Sequence, residues 1–205
     1  MPDEGLGFVV EPMCLSDVPE VLAIERFSFS SPWPPRAYRR ELLRNKGSHY
    51  FVVRRCGREE NSVPGLFARL WPVLRRRRAG ELVGYGGFWT SGRRAHISTL
   101  AVASHWRRRG LGLLLLLHML ECATGLGMRT ATLEVRASNH AAQNLYHKSG
   151  FRPCGLQRAY YRDNGEDAVL MSTPRLTHPA YEAYLASLGE ELQERLGHRP
   201  GGGRC

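Results

Sequence analysis

The 205-residue sequence contains few cysteines and no long apolar segment. Its five cysteines are scattered, odd in number and without Cys-x-x-Cys spacing. That pattern argues against a disulfide framework and a zinc site, so we expect a reducing compartment and no metal. The longest apolar run, Leu113–Leu117, is far too short to span a bilayer, and the acidic start Met-Pro-Asp-Glu lacks a signal core. The sequence therefore predicts a cytoplasmic protein without a membrane contact.

Lysine is scarce as well, since Lys46 and Lys148 are the only lysines, yet the formal net charge is +10. Residues 54–80 hold eight arginines and two glutamates, which accounts for +6 of that charge. A basic chain favours anionic partners such as RNA or the ribosome. An arginine-rich compositional bias explains the same charge, so both interpretations stay open.

The most informative stretch runs from residue 96 to residue 150. Residues 96–102 alternate and then become apolar, which predicts a strand that enters the core. The basic glycine loop Arg107–Gly112 follows, and a helix begins directly from it. Such a loop offers unpaired N–H groups at the positive end of a helix dipole, and glycine lets a phosphate approach closely. A turn with solvated arginines is the alternative when this loop is taken alone.

A second strand and a second helix follow this loop. Residues 129–135 have the pattern of a strand, Ser138 and Asn139 can cap a helix over 139–149, and Gly150 ends it. Glu134 and Tyr146 would then flank the place where the two strands end. Partial burial would make Glu134 a usable base, whereas an exposed carboxylate paired with Arg136 is the plainer interpretation.

These residues resemble the GCN5-related N-acetyltransferases, whose acetyl-coenzyme A signature is similar to Arg107–Gly112 after Leu-Ala-Val. Over about residues 8–173, the chain resembles one branch of this family, the bacterial ribosomal-protein-alanine N-acetyltransferases of RimI type. The segments that carry this second resemblance are Leu133–Asn139, Leu145–Tyr146, Ser149–Phe151, Tyr160–Tyr161 and Gly165–Ala168. The resemblance implies an α/β fold: a mixed, twisted central sheet with helices on both faces and two splayed central strands.

The resemblance also implies the site. Glu134 would act as the base and Tyr146 as the acid in acetyl transfer from acetyl-CoA. The acceptor peptide would contact Trp33, Tyr160 and Tyr161, although packing under its proline-rich loop explains Trp33 equally. The residues expected to bind acetyl-CoA are Leu100, Ala101, Val102, Arg107, Arg108, Arg109, Gly110, Leu111, Gly112, Leu113 and Asn139.

We expect an acetyltransferase domain over residues 1–173, with a basic insertion at about 55–80, and a C-terminal helix and flexible tail over 174–205. The predicted reaction acetylates the N-terminal alanine of a small-subunit ribosomal protein, with possible ribosome or RNA contact through the insertion. A protein lysine or a small amine is the alternative acceptor. A third hypothesis is an acetyl-CoA-binding module that docks on RNA.

Overall fold

The computed structural model describes residues 7–56 and 80–197, which form a seven-stranded mixed sheet and five α-helices. The strands are β1 (Gly7–Pro12), β2 (Ser48–Cys56), β3 (Glu81–Ser91), β4 (Arg94–Val102), β5 (Thr130–Arg136), β6 (Arg152–Tyr161) and β7 (Glu166–Ser172). The helices are α1 (Val18–Ser28), α2 (Pro35–Arg44), α3 (Leu111–Gly125), α4 (His140–Lys148) and α5 (Pro179–Leu196). The strand order is β1-β2-β3-β4-β5-β7-β6, in which the β4–β5 pair is parallel and the others are antiparallel.

Local chemistry explains where the helices begin and end. Pro19 lies in the first turn of α1 and Pro35 opens α2, where a missing N–H costs nothing. The side-chain oxygen of Asn139 accepts a hydrogen bond of 3.1 Å from the Ala142 amide and so caps α4. Gly197, in the left-handed conformation with φ of 62°, ends α5.

Two apolar cores lie on opposite faces of the sheet. On one face, α3 packs its leucines against the sheet, and Leu115, Leu116 and Met119 are fully buried. On the other, α1 and α2 cover a smaller core in which Tyr38, Tyr50 and Tyr85 pack edge to face. The predicted fold class, with helices on both faces of a mixed sheet, is confirmed.

The edge hairpin differs in length from the prediction. The sequence pattern predicts a strand over Phe151–Gln157, but β6 continues to Tyr161, so the Tyr160–Tyr161 pair belongs to the strand. β6 extends this far because its register with β7 shifts between Gln157 and Tyr161. The shift accommodates extra residues of β6 before Tyr161 pairs with Glu166. The Asn164–Gly165 pair predicts a hairpin turn at Asp163–Gly165, and the structure has a turn there with Gly165 left-handed.

The apolar spacing of residues 179–197 predicts a helix that either packs on the body or forms a partner interface, and α5 packs on the body. Tyr181, Leu188 and Leu192 are buried, and the Tyr181 hydroxyl donates a hydrogen bond of 2.7 Å to the Ser149 carbonyl. The sequence also predicts one or two amphipathic turns at Phe67–Leu74, inside the arginine-rich insertion. These residues, and the tail beyond Gly197, lie outside the described residues. Among residues 7–56 and 80–197, every helix is too short or too polar to cross a membrane.

Candidate active site

The two central strands separate after a short parallel ladder. β4 and β5 pair only from Arg94 with Thr130 to His96 with Thr132. Beyond that pair, β4 stays bonded to β3 and β5 stays bonded to β7, so the strands diverge. The β5-facing backbone edge of residues 100–102 is therefore left for a ligand to bind. This split is the splay that the resemblance implied.

The glycine loop lies at the open end of this split. Arg108 and Gly110 have left-handed backbones with φ of 63° and 95°, and α3 begins at Leu111. Left-handed residues before a helix orient successive N–H groups toward one point, which forms an anion site. A Cβ on Gly112 would lie 3.7 Å from Leu100 Cδ2, so the helix start packs on the end of β4. The structure thus brings together the predicted phosphate and acetyl regions.

Two of the three arginines of the loop contact the protein itself. Arg107 donates hydrogen bonds of 3.0 Å to the Val102 carbonyl and 3.1 Å to the Ser28 hydroxyl. Arg109 lies over the Trp106 ring, 4.7 Å from its centroid. These two side chains support the loop in this structure, whereas Leu111 and Leu113 are buried and can offer a ligand only their backbone. Contacts of all these residues with acetyl-CoA stay predictions.

Glu134 lies on β5 beside the split and is half-buried. Its Oε2 atom lies 3.1 Å from Nε2 of His96, a residue that the sequence analysis did not single out. The pairing with Arg136, which was the plainer interpretation of Glu134, is not the one observed. Arg136 instead binds Asp163 at 2.7 Å and Glu166 at 3.0 Å. The carboxylate is therefore partly exposed, at 22% of its side chain, and is held by an imidazole.

Tyr146 lies on α4 and is 8% exposed, with its ring packed on Phe151 at 5.7 Å. Burial raises the pKa of Tyr146 above the ordinary phenol value, and nearby Tyr161 raises it further. The hydroxyl therefore stays protonated at neutral pH and can donate a proton. Asn139 lies seven residues earlier and uses its side-chain oxygen to cap α4. Its side-chain NH2 group is then the part that could contact a ligand.

Trp33 lies over the α1–α2 core. Its backbone N–H donates a hydrogen bond of 2.9 Å to Oε1 of Glu25, and the Tyr38 hydroxyl donates one of 2.8 Å to Oε2. The Trp33 and Tyr38 rings lie 5.5 Å apart. Burial raises the pKa of Glu25, and these two hydrogen bonds oppose that rise. Glu25 thus fixes the proline-rich loop, and packing accounts for Trp33 in this structure.

Tyr160 and Tyr161 lie close to Glu134. Burial raises the pKa of Tyr160, with a further contribution from the Glu134 carboxylate. Burial also raises the pKa of Tyr161 to about 12, although the Arg136 guanidinium, 3.9 Å from the ring centroid, opposes the shift. The Glu134 carboxylate thus lies near enough to both tyrosines to raise the pKa values of their hydroxyls, whereas contact of the two tyrosines with the acceptor peptide stays a prediction.

Sequence reasoning missed His96, the role of Arg136 and the buried Glu25. His96 had one signal, since it begins the alternating segment that leads to the predicted acetyl site at residues 100–102. The His96–Glu134 contact joins residues on two strands and depends on their parallel register, which local patterns do not encode. Within the described ranges, no cluster of three or more His, Cys, Asp or Glu residues is spaced to hold a metal ion.

Comparison with known proteins identifies the class. The Acetyltransferase (GNAT) family pattern matches residues 18–151, so the chain belongs to the GNAT family of acetyltransferases, which use acetyl-CoA. A Bacillus subtilis (strain 168) protein, provisionally named [ribosomal protein bS18]-alanine N-acetyltransferase, is 36% identical over 162 residues, covering 79% of this chain and 92% of that protein. The N-alpha-acetyltransferase RimI of Mycobacterium tuberculosis (strain ATCC 25618 / H37Rv) is 34% identical over 154 residues, covering 73% and 80%.

Solved structures share the fold. The crystal structure of the ribosomal-protein-S18-alanine N-acetyltransferase from Escherichia coli superposes with a TM-score of 0.64 at 25% sequence identity. The match covers 82% of this chain and 94% of the other. The family assignment that the motifs suggested is confirmed, and the protein is an N-acetyltransferase enzyme.

Proposed function

We propose that this enzyme transfers the acetyl group of acetyl-CoA to the N-terminal α-amine of a protein, and that its acceptor is the N-terminal alanine of a small-subunit ribosomal protein. The observation that carries the proposal is the split between β4 and β5, which opens directly beside Glu134. The relatives named for alanine N-acetylation of ribosomal protein bS18 support this choice of acceptor. We place the reaction in the cytoplasm, where that acceptor is made, and without a metal.

The residues around the split suit acetyl-CoA. Backbone N–H groups of 108–113 would hold the pyrophosphate at the N-terminus of α3. The β5-facing edge of residues 100–102 would hold the pantetheine amides and the acetyl carbonyl. A Cβ at Gly112 would lie 3.3 Å from Leu145 Cδ2, so a larger residue there would tighten the approach between α3, α4 and β4.

The transfer requires two proton movements, and the chain offers one group for each. The bound thioester supplies an activated acetyl group. The amine nitrogen bonds to the acetyl carbon, its surplus proton passes to Glu134, and the carbon–sulfur bond breaks. Tyr146 gives its proton to the departing thiolate. Solvent then returns a proton to Tyr146 and removes one from Glu134, so the products are the acetylated amine and free CoA.

The acid–base chemistry favours an α-amine over a lysine. An α-amine has a pKa of about 8 and a lysine of about 10.4, so a neutral lysine at pH 7 costs roughly 3 kcal/mol more. A single carboxylate base therefore suits an N-terminus better. This argument agrees with the relatives' names but is independent of them.

A panel of acceptors tests the proposal. Peptides that begin with alanine should be acetylated with a kcat/KM at least tenfold above that of N-terminally blocked lysine peptides and of small polyamines. Mass spectrometry of the peptide products should place the acetyl group on the α-nitrogen. Faster reaction with lysine or a polyamine would replace the proposed acceptor, and binding of acetyl-CoA without transfer would indicate a binding module.

Glu134→Gln tests the chemistry separately from the acceptor. The amide keeps the shape of the side chain but cannot accept the proton, so kcat should fall by about 10²–10⁴-fold. Acetyl-CoA affinity, measured by calorimetry, should stay near that of the wild type. Glu190→Gln, on the exposed face of α5, is the matched control. A loss under threefold with chemistry rate-limiting would reject the base role.

A further inference from the structure

An imidazole holds the carboxylate beside the split. His96 of β4 pairs with Thr132 of β5 in the last residue pair before the two strands separate. Glu134 follows Thr132 by two residues, so their side chains lie on the same face of β5. Nε2 of His96 lies 3.1 Å from Oε2 of Glu134. The imidazole therefore contacts the carboxylate where the split begins.

Three neighbouring side chains hold the His96 ring, those of Glu134, Thr132 and Trp89. Nδ1 of His96 lies 3.3 Å from the Thr132 hydroxyl oxygen. The Trp89 ring, on the cross-strand neighbour from β3, lies 4.5 Å from the imidazole centroid. The side chain of His96 is only 18% exposed. Rotation of the ring would break both polar contacts, so its orientation is fixed by its neighbours.

The two partners also fix the roles of the ring nitrogens. An ionised carboxylate only accepts hydrogen bonds, so Nε2 must carry the hydrogen that bonds Glu134. The Thr132 hydroxyl can donate to Nδ1 of a neutral ring or accept from Nδ1 of a charged ring. This assignment follows from the hydrogen-bond network. The contact to Glu134 therefore persists in either charge state of the imidazole.

We propose that His96 is a positioning residue for Glu134: it binds Oε2 and so directs Oε1 toward the acceptor amine. The inference rests on the proposed function, because it requires Glu134 to be the base. A carboxylate that turns freely spends less time with an oxygen aligned on the amine. A misplacement of about 1 Å can cost about 10²-fold in rate, so we expect a loss between about tenfold and a hundredfold without His96.

Matched variants separate the hydrogen bond from the packing. His96→Phe keeps a ring against Trp89 but removes both nitrogens. We therefore expect kcat to fall by about tenfold to a hundredfold, while the KM for acetyl-CoA stays unchanged. His96→Gln can place an N–H near the position of Nε2 and should recover most of kcat. His49→Phe is the control, because the His49 ring also stacks on an aromatic side chain, that of Phe88 at 4.9 Å.

A double-mutant cycle tests whether His96 acts through Glu134. The double variant H96F/E134Q should be no slower than E134Q, because a carboxylate that no longer serves as base gains nothing from being positioned. A purely structural role would instead multiply the two losses. Multiplied losses, or a wild-type kcat in H96F while E134Q is impaired, would overturn the positioning role of His96 and leave the base role of Glu134 intact.

Failure of the base role gives a different result, since E134Q itself would then retain wild-type turnover. Failure of the proposed acceptor appears in the acceptor panel and leaves this cycle unchanged. Thermal unfolding of each variant shows whether it is folded. Should H96F not fold, H96Q and H96N decide the question. Glutamine can reach the position of Nε2 and asparagine cannot, so H96Q should turn over faster than H96N, and equal rates would overturn the inference.

Discussion

Tyr146 combines a proton to donate with surroundings that keep the proton on the oxygen. Burial is the main cause that raises its pKa, and the neighbouring Tyr161 adds to the rise. The neutral phenol is the acid form, so a raised pKa preserves the donor as the pH increases. An ordinary tyrosine, with a pKa of about 10, would begin to lose it in mildly alkaline solution.

We therefore expect the acid role of Tyr146 to persist into alkaline solution. Tyr146→Phe should lower kcat by about 10²–10⁴-fold, and by a similar factor throughout the range from about pH 7 to pH 10. Profiles of kcat against pH for both enzymes measure this ratio. Tyr184→Phe, which alters an exposed tyrosine on α5, serves as the control. A ratio that falls steeply below pH 10 would show that the phenol loses its proton there.

Gly110 meets two requirements at once. Its φ of 95° is unfavourable for a residue with a side chain, and an added Cβ would lie 2.6 Å from Leu192 Cδ1 of α5. Gly110→Ala should therefore displace the start of α3 and weaken acetyl-CoA binding about tenfold, since the left-handed conformation alone costs about 1–2 kcal/mol.

Calorimetric titration with acetyl-CoA checks this expectation for Gly110→Ala. Gly125→Ala, at the other end of the same helix and with open space around the added atom, should bind like the wild type. Equal affinities for the two variants would show that the loop does not form the phosphate site.

Glu134 and Tyr146 could be proposed because they lie in short motifs that need no tertiary information. Arg136 was considered as a partner of Glu134, because residues two apart on a strand share a face. It binds Asp163 and Glu166 instead, since β5 pairs with β7 and places Arg136 opposite Ala168, close to the hairpin turn.

Among the structural elements, Arg136 links two loops that border the site. One of its Nη atoms contacts both Ser30, which follows α1, and Asp163, in the turn between β6 and β7. Ser30 also donates a hydrogen bond directly to Asp163. The hydrogen bond from Arg136 lowers the pKa of Asp163 to about 2, and the contacts of Glu166, chiefly with Ser138, lower its pKa to about 2 as well.

This linkage should affect acceptor binding more than chemistry. Arg136→Gln should raise the peptide KM about fivefold, because it removes charge-assisted bonds that order both loops, while acetyl-CoA affinity stays unchanged. The defect should be constant between about pH 6 and pH 9. Depressed carboxyl pKa values mean that the bonds are present above about pH 4 and are lost only as the pH falls toward about 2.

Steady-state kinetics with an alanine-starting peptide measures the KM, and Arg195→Gln, an exposed arginine of α5, is the control. An unchanged peptide KM in Arg136→Gln, or a defect confined to kcat, would contradict a role in ordering the acceptor side.

α5 is an element that the family match at residues 18–151 does not include, yet it supports the site. Its Leu192 packs over Gly110, and its Tyr181 hydroxyl satisfies the Ser149 carbonyl at the end of the helix that carries Tyr146. The sequence showed the apolar spacing of α5. It could not show the face of the protein that α5 covers, because only tertiary packing determines that contact.

For the whole molecule, the sequence was sufficient to predict the mixed sheet and most element positions, because alternation, capping residues and glycines mark them locally. It could not predict how the arginine-rich segment is attached. β2 and β3 remain paired up to Arg55 and Glu81, and the buried Arg54 binds Asp17 at 2.7 Å and the Gly80 carbonyl at 2.9 Å. The strands on either side of the insertion are thus fixed by contacts within the described residues.

Because these contacts hold both flanking strands, we predict that the insertion contributes to partner binding without affecting the chemical step. Deleting Pro64–Arg78 removes five arginines but leaves Arg54, Gly80 and the site residues in place. Acetylation of short peptides should stay close to the wild-type rate. Binding to ribosomal particles or RNA should weaken. The slope of log K against log salt should flatten by up to about 0.7 for each single-strand phosphate that the deleted arginines had neutralised.

A second variant keeps the full length of Pro64–Arg78 but changes its five arginines to glutamine. This variant separates the effect of charge from the effect of chain length. If charge matters, this second variant should lose binding as the deletion does, because each arginine that meets a phosphate releases counterions. Unaltered affinity and salt slope in both variants would leave compositional bias as the explanation of the arginines. Loss of peptide acetylation in the deletion alone would show instead that the length of the β2–β3 connection supports the site.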